Sequence, residues 1–202
     1  MIEIDPHHRP VWIYAEGLEH PISAQRLENG NTLIGDARLG RVIEVDPRRN
    51  IVWKYESRDL ADMRMRNSRR TASGTTLIAV EAAGKIIEVN RGGEIVWSFE
   101  APGGGARRPY QAHRLANGNT LISMTEPGEV VEVDRAGKIV RSMGGDKMEL
   151  RLGWASGMAL LPGGGLLVSD YTGRRLVELD ARGAVVHELR TGARTIASVA
   201  IQ

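Results

Sequence analysis

One pattern recurs along this chain every 44 to 46 residues, and a fixed period of that length restricts the fold to a repeat architecture. QRLENGNTLI ends at Ile34, RRTASGTTLI at Ile78, HRLANGNTLI at Ile122 and the looser ALLPGGGLLV at Val168. A second landmark follows each copy: VIEVD to Asp46, IIEVN to Asn90, VVEVD to Asp134 and LVELD to Asp180, with MIEID at the start as a fifth copy. Seven residues beyond each of these come Trp12, Trp53 and Trp97, then Arg141 and His187 in the same column. Each unit reads as four short strands, QRL, NTLI, VIEV and IVW, separated by Asn-Gly, Gly-rich and Asp-x-x-Gly turns. Asn-Gly suits the positive φ of tight hairpins, and the Asp or Asn that ends the third strand can bond the following turn through its side chain. Apolar residues come in runs of three to five without helical spacing, so almost no helix is expected. Units of this size cannot bury two apolar faces alone, and radial stacking makes them a β-propeller of four-stranded antiparallel blades.

The units fall at about 20–57, 64–100, 108–143 and 154–190 within one all-β domain over 1–202. The N-terminus begins at a third strand and TIASVAIQ at the C-terminus resembles a first strand. Residues 1–14 and 194–202 are therefore expected to share a fifth, closing blade. That blade lacks a GNTLI-type second strand. A three-stranded blade, a truncated or engineered chain, or an edge supplied by a partner molecule all answer this, and edge pairing into a homo-oligomer is one consequence.

The 27 basic residues against 25 acidic ones leave a net charge of +2, so no whole-chain attraction to nucleic acid or to an anionic membrane is expected. Without cysteine there is no disulfide, thiolate nucleophile or Cys-based metal site. No run reaches the length of a membrane span, and MIEIDPHHRPVWIY lacks the segments of an export signal; if Met1 is the native start, a cytoplasmic location is expected. His7 and His8 take the turn positions held elsewhere by Arg48 and Arg49, which reads as an exposed hairpin tip. No metal site and no cofactor are expected.

The strings NGNTLI, GRVIEVDPRRNIVWKY and VSDYTGRRLVELDARG resemble the bacterial propellers described as PQQ-like, arylsulfotransferase-like and NHL-type repeat proteins, over nearly the whole chain. The resemblance implies the fold and a blade-docking role for Trp12, Trp53 and Trp97, without implying a bound quinone. Arylsulfotransferase-like relatives work through a histidine in the central funnel, for which His113 is the one counterpart here.

Propellers bind ligands at the mouth of the central channel. Aligned on the NGN turn, Ser23, Asn67, Gln111, Gly157 and Ser198 form one inner-strand column, and Gln25, Arg69, His113, Ala159 and Ala200 another. The entering loops add His20, Arg64, Arg66, Arg108, Tyr110, Trp154 and Arg194. Arginines with amide and hydroxyl donors suit bidentate recognition of carboxylate, sulfate or phosphate. The first reading is a non-catalytic binding module for a small anion or an acidic peptide. A second is a transferase- or lyase-type propeller enzyme with His113 as acid or base and Arg64, Arg69 or Arg108 holding the substrate. A third is a structural or engineered propeller without a ligand. RMRNSRR (64–70) has the charge of a nucleic-acid patch, but it occupies an inner strand whose alternate residues are expected to point into the ring, which disfavours a phosphate-tracking surface. Asp36 and Asp170 share one column with Val80 and Met124 and form no carboxylate ring. Gly103 to Gly105 and Gly163 to Gly165 read as turns.

Overall fold

The period is realised as a series of antiparallel sheets. The computed structural model describes residues 1–103, 106–145, 150–190 and 192. A two-stranded ribbon, β1 (Ile2–Ile4) and β2 (Pro10–Ile13), comes first. Blade 1 contains β3 (Pro21–Arg26), β4 (Thr32–Asp36), β5 (Arg41–Val45) and β6 (Ile51–Glu56). Blade 2 contains β7 (Met65–Arg70), β8 (Thr76–Val80), β9 (Lys85–Val89) and β10 (Ile95–Glu100). Blade 3 follows with β11 (Pro109–Arg114), β12 (Thr120–Met124), β13 (Glu129–Val133) and β14 (Ile139–Gly144). Blade 4 has β15 (Ala155–Leu160), β16 (Leu166–Asp170), β17 (Arg175–Leu179) and β18 (Val185–Arg190). Each blade is a meander with its strands in sequence order.

Turn chemistry sets these hairpins locally. Asp46 Oδ1 accepts the Asn50 amide at 2.7 Å, Asn90 Oδ1 that of Glu94 at 3.0 Å, Asp134 Oδ1 that of Lys138 at 2.9 Å and Asp180 Oδ1 that of Ala184 at 2.9 Å. Asp5 does the same for Arg9 at 2.9 Å, which places His7 and His8 in the hairpin turn. The fourth residue of these turns has positive φ: Gly93, Gly137 and Gly183 occupy it in blades 2 to 4, whereas His8 and Arg49 are held there at 61° and 72°.

The first strands of successive sheets touch in the order β3, β7, β11, β15 and mark the inner side of the arc. Between blades lie apolar layers. Leu33 and Val42 of blade 1 meet Met65, Ile78, Val80 and Val89 of blade 2, and the layers between blades 2 and 3 and between blades 3 and 4 repeat the arrangement. Each fully buried aliphatic side chain contributes roughly 1.5–3 kcal/mol, so these layers supply most of the cohesion.

A charged stack at the outer strands adds direction to the apolar layers. Glu44, 1% exposed in the third strand of blade 1, receives Arg70 at 2.7 Å and Arg91 at 2.5 Å from blade 2. Arg70 lies 4.5 Å over the Trp53 ring, whose indole N–H donates to the Arg91 carbonyl at 2.9 Å. Glu88, Arg114, Arg135 and Trp97 repeat this between blades 2 and 3. The blade-docking role of Trp53 and Trp97 is therefore direct. Between blades 3 and 4, Arg141 and Leu160 stand where the tryptophan and the stacking arginine would be, and the stack is absent.

Two expectations need correction. The described residues form four four-stranded blades, not five: β1 and β2 supply only the third and fourth strands of another, and residues 194–202, assigned to the same blade, lie outside the described residues. Among the described residues no second strand lies beside β1, so the ribbon stays two-stranded. The inner-strand columns also do not simply point into the channel. Blades stack face to face, so alternate residues of an inner strand turn toward the preceding and the following blade; Ser23 Oγ meets Ser68 Oγ of the next blade at 3.1 Å.

Candidate functional site

The two inner-strand columns serve first as latches between blades. Gln25 Oε1 accepts the Arg70 amide at 2.7 Å, and Gln111 Oε1 accepts the Met158 amide at 2.9 Å. His113 is 6% exposed, with Nε2 3.1 Å from the Met158 carbonyl oxygen and 2.8 Å from Gln111 Nε2. Because Gln111 Oε1 is committed to Met158, its amide nitrogen turns N–H toward His113, so Nε2 cannot satisfy both contacts in one tautomer. Burial, reinforced by the Arg69 charge and only partly opposed by the Met158 carbonyl, pushes the His113 imidazole down to about 3. It is a neutral side chain built into the blade 3 to blade 4 junction. No ion pair joins it to a carboxylate among the described residues.

Arg69 is different. Five arginines lie on the inner strands β3, β7, β11 and β15: Arg26, Arg66, Arg69, Arg70 and Arg114. Four are neutralised, Arg26 by Glu3, Arg66 by Glu81, Arg70 by Glu44 and Arg114 by Glu88. Arg69 has no carboxylate and no hydrogen-bond partner among the described residues, and desolvation by burial lowers its pKa. Asn67, two residues before it in the same row, is half-buried and also without a hydrogen-bond partner among the described residues. Each inner strand carries a bulge near its start, between Met65 and Asn67 in β7, which re-aims the side chains that follow.

The mouth lies where the inner strands begin. A cleft of about 240 Å³ is lined there by Arg66, Glu81, Arg108, Glu126, Trp154 and Thr172. Trp154 packs edge-on against Tyr171 with centroids 4.5 Å apart, and its indole N–H finds no acceptor. Tyr110 borders this charge cluster; burial raises its phenol pKa, the Arg66 charge opposes that and the Glu81 charge adds to it. His20 and Arg64 are exposed, and Ser23 is spent on Ser68. Arg194 and Ser198 lie outside the described residues. The structure therefore brings Arg108, Tyr110 and Trp154 together around the mouth and sets Asn67 and Arg69 deeper, while His20, Ser23, Gln25 and Gln111 bond within or between blades.

Two carboxylates at the mouth are structural. Asp36 accepts the His20 amide at 2.9 Å, and Asp170 accepts Gly153 at 3.0 Å and binds Arg175 at 3.0 Å, fixing the entering loops of blades 1 and 4. Sequence reasoning passed over the third-strand glutamates, of which Glu44 and Glu88 hold the inter-blade stacks. Their signal was present: Glu3, Glu44, Glu88, Glu132 and Glu178 recur at one column inside apolar strands, where an unpaired charge would be costly.

A protein of unknown function from Bacteroides caccae has 21% identity and a TM-score of 0.81, covering 98% of this chain and 77% of that one. This chain has a β-propeller fold. Virginiamycin B lyase from Staphylococcus aureus is 15% identical with a TM-score of 0.67, over 86% of this chain and 56% of that one. The WD40 β-propeller domain of Doa1 gives 14% and 0.66, over 85% and 54%. The chain thus spans a little over half the length of the lyase and WD40 structures. No protein-family model and no curated protein matches it. At these identities the likeness establishes architecture alone, without choosing among PQQ-like, arylsulfotransferase-like and NHL-type propellers.

Proposed function

We propose that this propeller is a non-catalytic binding module that takes a small anion, or the carboxylate of an acidic peptide, between Arg69 and the mouth. The observation that carries the reading is Arg69: of five inner-strand arginines it alone has no carboxylate among the described residues, and its guanidinium is largely withdrawn from water. An uncompensated, desolvated cation is unfavourable in the empty state, and a ligand anion supplies the missing charge. Its planar fork suits a bidentate oxyanion, with the Asn67 amide beside it as a further donor. Above it, Arg108 and Trp154 line the mouth cleft, where a second polar or aromatic part of the ligand would rest.

The enzyme reading has less support. The imidazole is buried and bonded between two blades, and no carboxylate among the described residues is paired with it to orient it. The lyase among the structural neighbours shares the architecture at 15% identity, which carries no residue across.

Isothermal titration against sulfate, phosphate, citrate and an aryl sulfate tests the proposal, with Arg69→Gln and Arg108→Ala as variants. Saturable binding in the parent chain that Arg69→Gln weakens by at least about tenfold, roughly 1.4 kcal/mol, is expected. Absence of binding in the parent, or binding indifferent to Arg69→Gln, would overturn it.

A further inference from the structure

The tryptophan of the mouth stands outside the repeat. Trp12, Trp53 and Trp97 share the blade-docking column, whereas Trp154 occupies the loop entering blade 4, at the position held by His20, Arg64 and Arg108 before the other inner strands. Its backbone is fixed on both sides: the amide donates to Asp170 Oδ1 at 3.3 Å, and the carbonyl accepts the Tyr171 amide at 3.0 Å. Gly153 lets the loop approach this closely, because a Cβ there would stand 2.0 Å from Thr172 Oγ1. The indole packs edge-on against Tyr171 and is half-buried, so part of the ring stays open to the cleft of about 240 Å³ that it lines.

The rest of the wall is polar. Blade 2 supplies the Arg66–Glu81 ion pair, blade 3 supplies Arg108, Thr125 and Glu126, and blade 4 supplies Gly153 and Thr172. Among the described residues no aliphatic side chain lines the cleft. Its two cations and two carboxylates balance, so an inorganic anion is drawn past it to Arg69 deeper in the channel. A plain aryl ring is also a poor match, because it would cover charged and hydroxyl groups without giving them hydrogen-bond partners. A pyranose ring has the complementary surface. Its C–H face packs on an aromatic ring, whose own face carries negative charge density, and its peripheral hydroxyls both donate and accept. Glu81 and Glu126 can accept there, Arg66 and Arg108 can donate, and Thr172 can do either.

We propose, resting on Arg69 as the anion site, that the mouth cleft is a saccharide subsite: Trp154 carries the face of one sugar ring while Arg69 holds the carboxylate or sulfate of an acidic sugar. The spacing suits such a ligand. Arg66 borders the cleft and Arg69 lies three residues farther along β7, roughly 10 Å at a strand rise of about 3.3 Å per residue, a distance that a saccharide of two rings spans. An extended acidic peptide reaches as far, but it brings carboxylates on flexible stems beside Glu81 and Glu126 and no rigid face for Trp154.

Isothermal titration of the full chain with acetate, sulfate and an acetylated, amidated triglutamate reads the anion site by itself. An array of neutral, uronate-bearing and sulfate-bearing glycans, followed by titration of the tightest in solution, reads the cleft and separates the two acid groups. Binding confined to acidic glycans is expected, at least about tenfold tighter than the simple anions or the peptide. Trp154→Leu and Thr172→Val should each reduce that preference by at least about fivefold, and because they stand on separate loops a folding defect in one leaves the other informative. Arg69→Gln should abolish binding of both kinds of ligand. Simple anions or the peptide bound with no preference for acidic glycans would overturn the saccharide subsite and leave the anion site standing. A glycan preference that both variants keep, or neutral glycans bound as tightly as acidic ones, also overturns it. Absence of binding by every ligand overturns the subsite and the anion site together.

Discussion

Replacing His113 by glutamine should remove a specific, calculable pH dependence from the stability of this propeller. The imidazole is buried between blades 3 and 4, and its pKa falls from 6.5 in the unfolded chain to about 3. A base with a depressed native pKa leaves the unfolded state binding more protons in the interval between the two values, so stability falls as pH falls through it. Integrating that linkage from about pH 7.5 to about pH 5 gives a loss of about 2 kcal/mol from this residue alone. The loss continues at about 1.4 kcal/mol per pH unit until the native pKa is approached. Glutamine keeps a side chain able to bond the Met158 carbonyl but cannot titrate. Urea denaturation followed by tryptophan fluorescence, at several pH values for parent and His113→Gln, isolates the effect because all other groups are common to both. The two curves of stability against pH should converge by about 2 kcal/mol over that interval. Parallel curves would refute the reasoning and mean that His113 accepts a proton in the folded state.

Removing the buried Glu44 charge by Glu44→Gln leaves Arg70 uncompensated and should cost about 3 kcal/mol. Glu3→Gln, at the equivalent but solvent-exposed pair with Arg26, should cost less than about 1 kcal/mol in the same denaturation assay. Burial tends to raise the Glu44 pKa, but hydrogen bonds from Asn31, Arg91 and Asn29 and the Arg70 charge lower it overall, so its contribution is present above the ordinary glutamate pKa and lost as pH falls through the native value. Arg69→Gln should raise the thermal midpoint in low-salt buffer without a ligand while abolishing anion binding, a trade expected where a cation is kept unpaired for a function. A midpoint unchanged or lowered would count against that role. Arg49→Gly should stabilise blade 1 by up to about 1 kcal/mol, since Arg49 holds a φ of 72° where the sibling turns carry glycine. Equal or lower stability in chemical denaturation would argue against backbone strain there.

The repeat alone determined the blade. Hairpin positions follow from Asn-Gly and Asp-x-x-Gly, because those residues satisfy their own turns without any distant partner. The docking tryptophans were legible for a similar reason: the period places them in one column, and Trp53 and Trp97 bond the next blade as that column implied. The site was legible only as a set of residue types near one end of the ring. Ser23, Gln25, Gln111 and His113 carry the polarity of a binding surface, yet the packing turns them into latches, because facing blades bring backbone groups within reach that no local pattern records. Arg69 and Arg70 are neighbours of identical type, and sequence cannot rank them. Tertiary structure does: one side of β7 delivers Arg70 to Glu44 of the preceding blade, 26 residues away, and the other leaves Arg69 beside His113 with no anion among the described residues. Likewise, MIEID reads the same as its sister strands, and only the tertiary structure shows that among the described residues it pairs with β2 alone while its sisters pair on both sides, because strand pairing is a property of neighbours rather than of the strand itself.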